Sequence, residues 1–315
     1  MTDTNIYRDI ATRTGGAFML GVVGPVRTGK STFIKRFMET LVIPQIDNTY
    51  MRERAKDELP QSGSGRTIMT AEPKFVPEDA VTISLAEDTE LSVRLVDCVG
   101  YMVEGATGQF EDGNERLVTT PWFDHEVSMT DAAEKGTHKV IAEHSTIGIV
   151  ITTDGSICDI PREKYLGPEE RVINELKTIG KPFVVLLNSA QPDSESAIKI
   201  AEEISVKHGV ECLRVNCLSL TEEDIAGIVR SVLKEFPLKS IGIFLPEWLD
   251  ALPADNELKA EVFSSILEAG SGAVKIKDCY AAAERLVGYE KISGARITKC
   301  ELGTGTVSLE LQLPR

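Results

Sequence analysis

Eight residues constrain this chain more than any others. Gly24-Pro25-Val26-Arg27-Thr28-Gly29-Lys30-Ser31 spells G-x-x-x-x-G-K-S; an apolar run at 18–23 precedes it, and afterwards Phe33, Phe37 and Leu41 recur every four residues. Apolar run, glycine-rich turn and four-residue period predict strand, loop and amphipathic helix in that order. A turn of this kind aims backbone N–H groups and a helix N-terminus at phosphate, and its glycines permit the close approach. In such a loop Lys30 reaches the outer phosphates of a nucleotide and the Ser31 hydroxyl binds Mg²⁺. Pro25, Val26, Arg27, Thr28 and Thr32 complete the wrapping around Gly24 and Gly29.

A strand-forming pair follows, VTISL (81–85) and LSVRLVD (91–97), which reads as a hairpin ending on Asp97. Asp97-Cys98-Val99-Gly100 then offers a carboxylate to hold the magnesium and a Gly100 N–H to meet the γ-phosphate. From Pro44 to Phe75 the text is polar and punctuated, too long for a passive connection, and is expected to be a functional loop. Within it Thr67 or Thr70 could offer a hydroxyl to magnesium and report the γ-phosphate, with Thr70 favoured because it lies nearer the hairpin.

Two departures bear on the nucleotide and its turnover. After the apolar run 183–187, where a guanine-reading protein of this layout carries N-K-x-D, the chain reads Asn188-Ser189-Ala190-Gln191. Asp193 comes two residues late, beyond Pro192, so ATP is favoured over GTP. Tyr101 stands where a glutamine would orient the attacking water, which predicts slow unaided hydrolysis. Arg27 has two open readings, a cation supplied in cis to the phosphates or a solvated loop charge.

Beyond residue 130 helix and strand alternate: helices at 131–144, 168–180, 194–209 and 221–236, strands at 145–153, 181–188 and 210–217. Thr221 is the expected N-cap of the last helix, with Glu223 and Asp224 in its first turn. Continuous apolar strands between amphipathic helices predict an α/β fold with a mostly parallel sheet covered on both faces. The period changes past Pro237. A boundary is placed at 237–245, giving a nucleotide-binding domain over 1–240 and, over 241–315, the beginning of a smaller α+β domain that the chain cuts short.

The net charge of −15 excludes broad nucleic-acid binding and direct adhesion to anionic lipid. The longest apolar runs, at 147–151 and 183–187, are strand-length rather than membrane-length. The first sixteen residues lack an apolar export segment, so a cytoplasmic protein is expected, and with it reduced thiols at Cys98, Cys158, Cys212, Cys217, Cys279 and Cys300. No His/Cys spacing suits zinc, which leaves oxygen ligands for any metal.

RDIATRTGG (8–16), LGVVGPVRTGKSTFIKRFME (20–39), DELPQSGSGRTIMTAEPKFVP (57–77), RLVDCVGY (94–101), TPWF (120–123), EHSTIGIVITTDG (143–155) and GKPFVVLLNS (180–189) resemble the stage IV sporulation protein A family, spore coat morphogenetic ATPases of endospore formers. The likeness is dense to about residue 245 and looser beyond. It implies a P-loop NTPase of the TRAFAC GTPase-like kind that binds and hydrolyses ATP with Mg²⁺. The implied site is Gly24 to Ser31, Asp97 as the magnesium-linked carboxylate and Thr70 as a nucleotide sensor; Ala71 stands where a relative's second threonine would fall. It further implies self-association into a basement layer around the forespore in the mother-cell cytoplasm. Recruitment would come from a small amphipathic membrane-bound peptide, the membrane being reached only through that adaptor, and other coat proteins would attach. Family members are longer than this chain, which ends inside what should be a following domain. Three classes stay open: an ATPase driving assembly, a GTP-binding switch, and a structural scaffold that does not hydrolyse.

Overall fold

The computed structural model describes residues 3–60, 73–86, 89–107, 110–111, 114–120, 123–253 and 255–314. Its centre is a six-stranded sheet. In chain order the strands are β1 (Ala17–Val23), β2 (Lys74–Ala86), β3 (Thr89–Asp97), β4 (Ile147–Thr153), β5 (Phe183–Asn188) and β6 (Cys212–Val215), arranged β6-β5-β4-β1-β3-β2. All run parallel except β2, which pairs antiparallel with β3 as the edge of the expected hairpin.

Successive residues of the central strands point to opposite faces, and each face is apolar. Val22, Leu95, Ile149, Ile151 and Leu186 belong to one buried cluster, whereas Val23, Val96, Val150, Val185 and Leu187 belong to another. The first face is covered by α1 (Asp3–Thr14), α2 (Lys30–Phe37) and α7 (Glu222–Lys234), which supply Ile10, Phe33, Phe37, Ile225 and Val229. The second is covered by α4 (Met129–Glu143), α5 (Leu166–Ile179) and α6 (Glu195–His208), through Val140, Ile173, Leu176 and Ile204. The chain leaves β1 toward β3 on one side and places β4, β5 and β6 on the other. The carboxyl end of β1 is therefore the topological switch point, where open α/β sheets bind ligands.

Three elements depart from the sequence reading. The stretch expected to be loop from Pro44 to Phe75 contains a helix, α3 (Thr49–Asp57), started by the Asn48 side chain accepting from the Met51 N–H at 3.1 Å. Its polar composition hid it, because only Ala55 is buried and the apolar period is absent. The helix after the glycine-rich turn changes at Met38–Val42 to a wider π-helical turn. The third is α1, whose residues carry no apolar period strong enough to predict a helix. The Thr221 cap appears as expected: its hydroxyl accepts from the Asp224 N–H at 3.2 Å, and Asp224 accepts back from the Thr221 N–H at 2.9 Å.

Beyond Pro237 a three-stranded sheet forms from β7 (Ser240–Phe244), β8 (Gly294–Glu301) and β9 (Thr306–Gln312), in the order β7-β9-β8, with helices α8 (Glu257–Gly270) and α9 (Asp278–Val287). Its Ile276, Leu286, Val307 and Leu309 join the same apolar cluster as Phe33 and Phe236. The N-terminal helix straps this hairpin down. Arg13 donates from Nε to the Leu302 carbonyl at 2.6 Å and from Nη2 to the Pro237 carbonyl at 3.2 Å, and its guanidinium lies 5.6 Å from the centre of the Phe236 ring.

Phe37 tests the core beneath the glycine-rich turn. Its ring is buried and meets Phe18 at 6.1 Å and Phe33 at 5.9 Å. Phe37→Ala is expected to lose about 3–5 kcal/mol of unfolding free energy in urea titration. A loss under about 1 kcal/mol would contradict this packing.

Candidate functional site

At the carboxyl end of β1 the chain turns through Gly24 into the loop that ends at Gly29, the N-terminal flank of α2. Register sets Asp97 beside Val22 across the β1/β3 pair, so the hairpin ends level with the turn. The two segments are then tied together. The Tyr101 N–H donates to the Gly24 carbonyl at 3.2 Å, and the Val26 N–H to the Tyr101 carbonyl at 2.8 Å.

Gly29 and Gly100 are required by contact as well as conformation. Gly29 has φ 94°, and a β-carbon there would overlap the Asn188 amide; Gly100 has φ 93°, and a β-carbon there would overlap the Gly24 carbonyl and stand 2.6 Å from Lys30 Nζ. The sequence-predicted Lys30, Ser31, Asp97 and Gly100 thus come together at one point. Thr32 lies half-buried in the first turn of α2. Thr67 and Thr70 lie outside the described residues.

Lys30 is buried, and its ammonium donates to the Pro25 carbonyl at 2.7 Å and the Gly24 carbonyl at 3.4 Å. Burial pushes its pKa below the usual lysine value, and the neighbouring Arg27 charge acts the same way; Cys98 and Asp97 oppose both. Ser31 Oγ donates to Asp97 Oδ2 at 2.6 Å. Burial pushes the Asp97 carboxyl up, against the Ser31 hydrogen bond and the Lys30 and Lys74 charges. Cys98 sits between the strands with its thiol toward the Val22 carbonyl at 3.0 Å and its pKa pushed up to about 11 by burial, a packed and unreactive group.

Sequence reasoning missed the bracing of this turn. Asn188, noted only as the residue where a guanine reader would begin, is 4% exposed, and its amide nitrogen donates to the Thr28 carbonyl at 3.0 Å. Its amide oxygen accepts from the Cys217 N–H at 3.0 Å, so one side chain joins the turn to the loop after β6. A lone Asn ending an apolar strand was the available signal. A buried polar group past β4 fixes that strand's carboxyl end: Arg162 pairs with Glu169 through contacts of 2.5 and 2.9 Å and also donates to Thr152 Oγ1 and the Thr153 carbonyl, each at 3.1 Å. Asp193, the late carboxylate, is 99% exposed and lies 3.6 Å from Arg214, turned outward. Tyr101 is buried instead, with the Arg171 guanidinium 5.0 Å from its ring centre.

The donor set fits a nucleotide with its magnesium. A buried ammonium stands within a glycine cradle that a β-carbon would fill, beside a paired hydroxyl and carboxylate of the oxygen chemistry Mg²⁺ takes.

The family model for the stage IV sporulation protein A ATPase domain matches residues 1–237, and that for the middle domain of the same family matches 238–315. The chain belongs to the stage IV sporulation protein A family. It is 47% identical over 310 residues to the stage IV sporulation protein A of Clostridioides difficile (strain 630), covering 98% of this chain and 63% of that protein. It is 44% identical over 314 residues to that of Bacillus anthracis, and 43% identical over 314 residues to that of Bacillus subtilis (strain 168). Each of these matches spans all of this chain and 64% of the relative. The site therefore lies within a domain that the family describes as an ATPase, on an α/β nucleotide-binding fold. Among the described residues no helix is long and apolar enough to cross a membrane.

Asn188→Ala leaves the Thr28 carbonyl and the Cys217 N–H without their partner. The expected loss is about 1–3 kcal/mol in urea unfolding. Asn188→Asp should lose more at neutral pH, because a carboxylate then faces a carbonyl oxygen. Equal stability of all three proteins would refute the bracing role.

Proposed function

We propose that this chain binds ATP with Mg²⁺ at the Gly24 to Ser31 turn and hydrolyses it to ADP and phosphate, and that turnover drives self-assembly into the basement layer of the spore coat. The observation carrying the catalytic part is the meeting of Lys30, Ser31, Asp97 and Gly100 at the sheet's switch point. The strand order and the family description point the same way.

In this reading the loop N–H groups and the Lys30 ammonium bind the β- and γ-phosphates, and the Gly100 N–H meets the γ-phosphate. Ser31 and Asp97 would hold the magnesium, which when bound neutralises phosphate charge and aligns the β- and γ-phosphates. Adenine is preferred because the carboxylate that would pair with guanine is absent from 188–191 and Asp193 faces Arg214. Hydrolysis is slow, since the buried Tyr101 ring cannot orient water as a glutamine would. Thr70 is assigned the sensing role and Thr67 a magnesium contact, on the family resemblance and on position alone. Residues 1–240 are assigned to the ATPase domain and 241–315 to the middle domain.

The assembled protein works in the mother-cell cytoplasm at the forespore surface. A small amphipathic membrane-bound peptide recruits it and other coat proteins join it. Family membership supports these roles, and the charge of −15 suits a protein that reaches a membrane through an adaptor and does not bind nucleic acid.

The test is phosphate release. The chain should turn over ATP, and Lys30→Ala should lose nearly all of it; thermal-shift titration should show ATP preferred to GTP by at least about tenfold, or 1.4 kcal/mol. Equal release by the variant sinks the enzymatic reading, and a tenfold preference for GTP overturns the nucleotide assignment.

A further inference from the structure

Among the described residues Arg27 is the single residue other than glycine at positive φ, 63°, in the left-handed region. Gly24 and Gly29, the other positive-φ residues of the turn, have no side chain to resist that conformation. An arginine does resist it, and strain of this sort persists where the surroundings over-determine the backbone. Here they do. On one side the Val26 N–H is held by the Tyr101 carbonyl at 2.8 Å and the Val26 side chain is buried. On the other, Thr28 is fully buried, its hydroxyl donating to the Pro25 carbonyl at 3.0 Å and its carbonyl accepting from Asn188 at 3.0 Å. The one position between these clamps carries the longest cation available, where glycine would cost least.

The Arg27 charge lies in the same turn as the lysine. It is felt at the buried Lys30 ammonium and at the Tyr165 hydroxyl. Two cations held in one loop repel, and an anion placed between them turns that repulsion into attraction. Meanwhile Asp97, at the end of the adjoining strand, is engaged by Ser31 at 2.6 Å. The residue after Gly100 lends no help to turnover, because the Tyr101 ring is packed under Arg171.

We infer that Arg27 is a catalytic cation built into the phosphate-binding turn, contacting the β–γ bridge of the bound triphosphate and neutralising the charge that develops there. This rests on the hydrolytic reading given above. In the step concerned, a water oxygen bonds to the γ-phosphorus as the bond from that phosphorus to the bridging oxygen breaks. The electron pair of the broken bond stays on ADP, where Arg27 stabilises it, and the water's proton leaves with phosphate or solvent. A cation of this kind is worth more in the transition state than in the bound substrate, so it acts on kcat.

The experiment compares the full chain with Arg27→Ala, Arg27→Lys and Arg27→Gly by four readouts: ATP affinity, kcat for phosphate release, capture of ADP with aluminium fluoride and magnesium, and thermal midpoint without nucleotide. Expected are ATP affinities within about threefold of the parent and a kcat at least about 100-fold lower in Arg27→Ala and Arg27→Gly. Capture of the ADP–fluoroaluminate complex should be lost in both. Arg27→Gly should melt no lower than the parent, since glycine relieves the left-handed strain. Arg27→Lys should recover less than a tenth of the lost rate, because an ammonium lacks the planar fork.

A kcat within threefold of the parent in Arg27→Ala overturns the inference. So does an Arg27→Gly protein whose melting point and activity fall together, which would make the residue structural. If the parent releases no phosphate beyond Lys30→Ala, the hydrolytic reading fails and the inference with it, an outcome distinct from the other two.

Discussion

The site depends on one buried ammonium. Lys30 is held by the carbonyls of its own turn, Pro25 at 2.7 Å and Gly24 at 3.4 Å, and removing such a group from water is unfavourable without them. Those carbonyls can face inward only because Gly24 adopts φ 143° and Gly100 has no β-carbon to push the hairpin end away. The Asp97 carboxylate adds attraction from the neighbouring strand. Phosphate oxygens are stronger, charge-assisted acceptors than either carbonyl. The cation that folds the turn is thus also the one a triphosphate would draw upon.

How much of this was legible in the sequence varies with how local the cause is. The turn, the hairpin ending on Asp97 and the alternation of 131–236 were readable because each follows from spacing within a few residues. The Thr221 cap was readable for the same reason. Asn188 was not, because its partners Thr28 and Cys217 are 160 and 29 residues away and amide geometry leaves no periodic trace. The Arg162–Glu169 pair escaped because a charged pair on a loop and helix start looks like a solvated surface, whereas Glu169 is buried. Helix α3 was hidden by polarity: its N-cap Asn48 is a local signal, but a single buried Ala55 leaves no apolar stripe.

The bracing side chains explain how an irregular loop keeps one shape. Gly24 and Gly29 leave the turn free to adopt many conformations and Arg27 at positive φ opposes the one it has, so its shape must be imposed from outside. Tyr101 imposes it from β3, Asn188 from β5, and the Arg162–Glu169–Thr152 group fixes the adjoining end of β4. Each brace starts at the carboxyl end of a strand that neighbours β1 or lies one strand further. The parallel sheet therefore does more than display the turn, since it brings three strand ends to the place where the loop needs partners.

The same sheet carries the turn's position outward. Leu20 and Val22 of β1 lie in one apolar cluster with Phe33 and Phe37 of α2, Ile10 of α1, and Val307, Leu309 and Leu311 of the C-terminal sheet. Close-packed interiors transmit displacement rather than absorb it. Arg13 adds directed bonds to Leu302 and Pro237, so the helix leading into β1 is fastened to the hairpin that ends the chain. A flexible tether would have isolated the C-terminal sheet from events at Gly24. Shared packing and the Arg13 strap instead join it to the sheet that carries the Gly24–Ser31 turn, so a displacement of that turn is passed to the C-terminal sheet and not absorbed between them.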